Sequence, residues 1–163
     1  MTAKHIRKML ELVGSGKEVL CMGSDDIIPM LHDRGNNVTF IEHFDGNIPF
    51  DNAAFDVVCI SRLSELGADS LLIECYRVLN DMGALVFSIP KISISRLKNL
   101  LYTHGFEIAS LKSNSVLGDI TPLFGDMLII KAVKRGSKIV RDKVALDQRP
   151  APLTKKLNHV TKI

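Results

Sequence analysis

Four short stretches of this chain are apolar at nearly every position rather than at alternate ones, and that limits the fold more than any other feature. They are Glu18 to Met22 (EVLCM), Val38 to Glu42 (VTFIE), Phe55 to Ser61 (FDVVCIS) and Ala84 to Ile89 (ALVFSI). A strand that is apolar on both sides needs cover on both sides, and parallel sheets obtain it from crossover helices. The intervening segments supply helical stripes. Ile6, Met9, Leu10 and Val13 recur at i, i+3, i+4 and i+7, and Gly14-Ser15-Gly16 ends that helix. Ile27, Ile28, Met30 and Leu31 form a second stripe, which Ser24 or Asp25 is placed to cap and which Gly35-Asn36-Asn37 ends. Leu71, Leu72, Cys75, Val78 and Leu79 make a third, followed by the turn residues Asn80-Asp81-Met82-Gly83. Ile94, Leu97, Leu100 and Leu101 make a fourth, stopped by Gly105. Phe106 to Leu111 and Met127 to Val133 read as two last strands. With only the loop 112–126 between them, they suit an antiparallel edge pair.

With 163 residues there is room for one domain. The expected organisation is an N-terminal helix over 1–16 packing on a domain over 17–133, then an arm over 134–163 in which periodicity fades. The arm differs in charge. It holds nine basic residues, Lys134, Arg135, Lys138, Arg141, Lys143, Arg149, Lys155, Lys156 and Lys162, against Asp142 and Asp147. It therefore carries +7 of a whole-chain charge of +3, and residues 1–133 carry −4. An acidic body with a basic arm points to an anionic partner for the arm. The spaced apolar residues Ile139, Val140, Val144, Leu146, Leu153, Leu157 and Val160 favour a docked arm over a solvated end.

Cys21, Cys59 and Cys75 sit among apolar neighbours at no metal-ligand spacing, which predicts reduced, buried thiols and no metal. No apolar run reaches the ~20 residues of a membrane-spanning helix, and Lys4, Arg7 and Lys8 interrupt any secretory signal. The expected location is intracellular, cytoplasmic or organellar, with a mitochondrial presequence as one option.

Three segments, IPFDNAAFDVVCIS, LLIECYRVLNDMGALVFSIP and LKNLLYTHGFEI, resemble in order the middle and end of class I S-adenosylmethionine-dependent methyltransferases. The resemblance spans roughly 17–133 and implies a Rossmann-like three-layer sandwich. It also implies a mostly parallel sheet with an antiparallel C-terminal strand pair. Only a short loop separates Glu42 from the Phe-Asp-Val-Val strand, so one βα unit of the family pattern is missing.

The same resemblance assigns candidate cofactor contacts. Gly23 stands first among the glycines that let backbone approach the cofactor. Glu42 ends the second strand, where the family's acidic residue grips ribose hydroxyls. Asp45 is similar to the residue that contacts the adenine amine, and Ser61 lies at the end of the third strand. The further glycines are replaced by Ser24, Asp25, Asp26 and Ile27. Each added carboxylate near the cofactor's own carboxylate costs ~3–4 kcal/mol before screening. Gly23 thus reads better as a tight turn. Glu42 and Asp45 read equally well as solvated loop acids, and Asp56 as a backbone staple rather than a base. Arg62, beside Ser61, reads as a surface residue.

No Asn/Asp-Pro-Pro-aromatic motif follows the third strand; Ser61-Arg62-Leu63 is there instead. His43 is a weak candidate base. The favoured expectation is a methyltransferase-like subunit, catalytically silent or weak and without cofactor. It would dock on a larger protein or ribonucleoprotein assembly through Lys134, Arg135, Lys138, Arg141, Lys143, Arg149, Lys155 and Lys156. An active S-adenosylmethionine-dependent methyltransferase on another acceptor is the alternative. A domain for some other nucleotide ranks third, since no phosphate-cradling loop survives.

Overall fold

A computed structural model of the chain describes residues 2–64, 67–90, 93–113 and 127–136. The elements run α1 (Ala3–Val13), β1 (Glu18–Met22), α2 (Ile28–Asp33), β2 (Asn37–Ile41), β3 (Phe55–Ile60), α3 (Ala68–Val78), β4 (Leu79–Pro90), α4 (Ile94–Thr103), β5 (Phe106–Ser113) and β6 (Met127–Lys134). One six-stranded sheet has the order β2-β1-β3-β4-β6-β5. The first four strands are parallel, and β6 runs antiparallel to both β4 and β5.

The apolar strands are covered on both faces. Leu20, Met22, Val58, Ile60, Leu85, Phe87, Ile89 and Ile130 turn toward α3 and α4, where they meet Leu72, Cys75, Leu97 and Leu101. Val19, Cys21, Val57, Cys59, Val86 and Ile129 turn the other way, onto Ile6, Met9, Leu10, Val13 and Leu31 of α1 and α2. Val19, Val58, Leu85, Val86, Phe87 and Ile129 are entirely excluded from solvent, so each contributes about 1.5–3 kcal/mol of burial. The sandwich therefore has three layers.

Nothing helical or extended lies between β2 and β3, which leaves β2 at the sheet edge with an exposed or half-buried face throughout. Asn36, 4% exposed, secures this thin side. Its amide donates to Gly14 O and Leu31 O and accepts from Lys17 N–H, tying the ends of α1 and α2 to the start of β1.

Two local expectations need correction. Neither Ser24 nor Asp25 caps α2, which begins at Ile28 with Ile27 at the cap and no side-chain bond. Pro29 fixes the first turn there, and Ser24 Oγ instead accepts from Asp26 N–H at 3.4 Å. The fourth strand starts at Leu79 rather than Ala84. Phe55 pairs with Leu79 and Val57 with Ala84, so 80–83 form a bulge inside the strand rather than a turn before it. Met82 takes φ 66° there, and Asn80 donates its amide to Asp56.

Candidate functional site

Open parallel sheets offer ligands the crevice beyond the carboxyl ends of their strands. Here the ends of β1, β2 and β3 enclose a cavity of about 240 Å³ lined by Met22, Gly23, Glu42, His43, Phe44, Ile60 and Arg62. Ligand pockets for small molecules span about 300–1,000 Å³, so this one is small.

Gly23 lies at the floor with φ +94°, donating to Ile41 O at 3.1 Å. A Cβ at this position would sit 2.6 Å from Ser61 Oγ. The φ alone favours glycine, and the atom nearest such a Cβ is the Ser61 hydroxyl. The Ser61 backbone is held from both sides. Its N–H donates to Met22 O at 3.1 Å, and its carbonyl accepts from the hydroxyl of Ser88, which is fully buried on β4. Leu63 N–H donates to Ser88 O at 2.7 Å, closing the turn. Ser88 was not legible as a site residue; a serine inside an apolar strand was the only signal.

Glu42 and His43 share the rim, with carboxylate and imidazole 3.6 Å apart and side chains 73% and 85% exposed. A contact so open to water orders little. Asp45 is exposed and is not among the lining residues. The candidate residues thus divide: Gly23 and Glu42 line the cavity with His43 and Arg62, Ser61 packs over Gly23, and Asp45 stands apart. Asp56 lies at the opposite end of β3. It accepts from Glu18 N–H at 3.0 Å and from the Asn80 amide, as a structural staple does.

From its own side of the sheet, α3 grips the loop between β2 and β3. Arg77 donates to Ile48 O and Phe50 O, each at 2.7 Å, to Asn52 Oδ1 at 3.1 Å and to both carboxylate oxygens of Glu74. Glu74 also accepts from Ile48 N–H at 2.9 Å. The Arg77 guanidinium, with the Ile48 amide behind it, holds the Glu74 carboxyl at about 2. This clamp replaces the missing βα unit as the anchor of the loop. The sequence signal was an acid and an arginine three apart at a helix end, which surface pairs also show.

The root of the arm folds back on its own domain. Lys134 donates to Leu79 O at 2.6 Å and lies 4.5 Å over the Tyr76 ring. Arg135 stacks 3.7 Å over Tyr102 and donates to Tyr102 O at 2.9 Å. Lys138, Arg141, Lys143, Arg149, Lys155 and Lys156 lie outside the described residues. Among the described residues, no cluster of His, Cys, Asp and Glu could hold a metal ion, and no helix is long and apolar enough to cross a membrane.

No protein-family model matches the sequence, and no curated protein matches it either. Solved structures do match. One is the Burkholderia thailandensis 1,6-didemethyltoxoflavin-N1-methyltransferase with bound 1,6-didemethyltoxoflavin and S-adenosylhomocysteine. It has TM-score 0.66 and 12% identity, over 82% of this chain and 78% of that one. The chain has the class I methyltransferase fold.

A second structure with this methyltransferase fold comes from the complex between the Haloferax volcanii Trm112 methyltransferase activator and a candidate methyltransferase. Its TM-score is 0.63 at 16% identity, over 82% of this chain and 89% of that one. A third is the [4+2]-cyclase SpnF, with TM-score 0.56 at 15% identity, over 80% and 79% of the two chains. The methyltransferase fold is thus shared by a protein named for a different reaction, and the site must carry the functional argument.

Proposed function

We propose that this chain is a non-catalytic bearer of the methyltransferase fold, a subunit that docks through its basic arm, 134–163, on RNA within a larger assembly. The observation that carries the first half is the Ser61 hydroxyl over Gly23: the close approach that a cofactor's backbone contact needs is taken by a side chain of the protein itself. Three further features support it. Asp25 and Asp26 stand exposed beside the cleft, α2 begins only at Ile28, and the cavity of about 240 Å³ is below the usual ligand range. The residues present therefore fit S-adenosylmethionine poorly, and no methyl-transfer step is drawn through it.

The docking half rests on charge. An arm of +7 on a body of −4 suits a polyanion, and lysine and arginine contacts to phosphate need no base selectivity. The neighbour solved in complex with an activator protein is a precedent for this fold working within an assembly.

One observation favours the alternative, an active S-adenosylmethionine-dependent methyltransferase. Glu42 lies on the cavity rim next to Gly23, where a ribose-holding acid would stand, and a fold neighbour binds S-adenosylhomocysteine. Isothermal titration of the full chain with S-adenosylmethionine separates the readings. No heat at millimolar ligand is expected; micromolar binding would restore the enzyme and end the non-catalytic reading.

A further inference from the structure

A second, larger cavity of about 450 Å³ lies between α4 and the outer strand β5, lined by Lys98, Asn99, Leu101, Tyr102, Phe106, Glu107, Ile108 and Arg135. It lies at the other end of the sheet from the cleft. Phe106 opens β5, which runs parallel to β4 across β6, and it pairs with Lys134 at the end of β6. Its volume falls inside the range of small-molecule sites.

The floor is apolar, made by Leu101 and Phe106, each 1% exposed. The wall is different. Tyr102 keeps 64% of its surface exposed, and the Arg135 guanidinium carbon lies over its ring, 3.7 Å from the centroid. The Arg135 position is fixed by its backbone: its N–H donates to Gly105 O at 2.9 Å, and its carbonyl accepts from Tyr76 OH at 3.2 Å. Its buried Nε has no acceptor in the protein. Lys98 adds a second cation on the exposed side of α4, and Glu107 is the one acid in the lining.

An exposed ring backed by a guanidinium, beside a lysine and over an apolar floor, is the pairing that takes up unstacked bases and their phosphates. We infer that the groove between α4 and β5 binds single-stranded RNA, with a base against Tyr102 and Arg135 and a phosphate at Lys98. Rim acids such as Glu107 reduce this attraction without reversing it, since Lys98 and Arg135 outnumber it. The inference rests on the proposed RNA reading of the arm and deepens it. Arg135 both lines the groove and belongs to the basic segment 134–163, so the two readings share a residue.

The chain has two tyrosines, Tyr76 and Tyr102, and no tryptophan, so its own emission reports on the groove. The test uses full-length protein and a fluorescein-labelled twelve-nucleotide oligo(U), followed by anisotropy. In parallel, unlabelled oligo(U) is titrated into Tyr76→Phe protein, where Tyr102 is the remaining fluorophore. Binding is expected to quench Tyr102. Tyr102→Ala should weaken binding roughly tenfold to a hundredfold, the loss that follows removal of one stacking ring, while Tyr102→Phe binds as the parent does. Lys98→Glu should weaken it further in low salt than in high salt. A thermal melt confirms that each variant is folded, and anisotropy of Tyr76→Phe checks that losing the hydroxyl bond to Arg135 O leaves affinity as in the parent.

A variant with Lys138, Arg141 and Lys143 changed to Glu separates the two ideas. If it loses oligo(U) while folded Tyr102→Ala keeps full affinity and Tyr102 emission is unchanged, the groove is not the site and the arm reading stands. If the parent protein binds no oligo(U) even in low salt, both are overturned. If a polyglutamate peptide displaces oligo(U) at equal charge, the surface serves an acidic protein and the inference fails.

Discussion

Removing Arg77 should cost this fold several times what an ordinary surface charge does, and the structure gives the size. Its guanidinium makes five hydrogen bonds, two of them to backbone carbonyls of the loop that β2 and β3 share. The partner carboxyl, Glu74, drops from its ordinary 4.5 to about 2, led by the Arg77 bond. At ~1.4 kcal/mol per pH unit that is roughly 3 kcal/mol. The side chains keep 31% and 15% of their surface, so solvent screening trims the value to about 2 kcal/mol. Adding the two lost carbonyl bonds at ~1 kcal/mol each gives about 4 kcal/mol for Arg77→Ala.

The sign with pH follows from a depressed carboxyl. The contribution is complete above pH ~4.5, where the unfolded carboxyl is ionised too, and is lost as pH falls toward 2 through the folded value. Urea denaturation of parent, Arg77→Ala, Glu74→Gln and the double variant at pH 7, 4.5 and 3 reads both effects. The parent should lose about 1 kcal/mol more than Arg77→Ala between pH 4.5 and 3, the remainder going only as pH falls through 2. A loss under ~0.5 kcal/mol for Arg77→Ala at pH 7, with no coupling to Glu74, would mean the clamp is only a solvated pair and would refute this reasoning.

Other expectations are briefer. Gly23→Ala meets both a φ of +94° and Ser61 Oγ at 2.6 Å, so it should destabilise by about 2 kcal/mol, and adding Ser61→Gly should return the steric part but not the backbone part; equal stability of both would refute the close approach. His5 is 5% exposed and its Nε2 is unpaired, and burial pushes its pKa below 6.5. Its stabilising effect is therefore complete above pH ~6.5 and fades as the unfolded imidazole takes up a proton below that value, so His5→Leu should flatten the stability curve between pH 7 and 5 in chemical melts. Cys21, Cys59 and Cys75 are buried and free, with burial pushing Cys75 up to about 12; an aromatic disulfide reagent should label them only at the rate of unfolding, and fast labelling in native buffer would contradict the packing.

Much of the architecture was readable because it depends on residue type repeated along a segment. The runs EVLCM and FDVVCIS can be buried on both faces in few other ways, and the structure places β1 at Glu18–Met22 and β3 at Phe55–Ile60. The antiparallel pair was also legible, since the sequence between the two strands, 112–126, reads as a loop. The position of β6 inside β5 was not, because both strands are apolar and either could form the edge. Local starts failed where one residue overrode a pattern: Pro29 moved the start of α2, and pairing of Leu79 with Phe55 carried β4 back through a turn sequence. The site was only half legible. The sequence shows which residues reach the strand ends, but not that Ser61 lies on Gly23 or that Tyr102 meets Arg135, because such contacts depend on side-chain direction across elements distant in sequence.

The missing βα unit links the stability of the domain to its functional reading. In a doubly wound sheet an outer strand and its helix cover the strand beside them and wall one side of the crevice. Without that unit, β2 becomes the edge, Phe40 stays 40% exposed, and Glu42 and His43 stand in water. The loop that remains must be held by something else, and Arg77 with Glu74 does so from the α3 side. Those bonds pull Ile48 and Phe50 toward the core, and Ile48 is 1% exposed. Asp45 stands on the stretch leading into this clamp and stays out of the cavity, although its position in the sequence suited an adenine contact. The loop clamp is thus what holds the shortened side of the domain together.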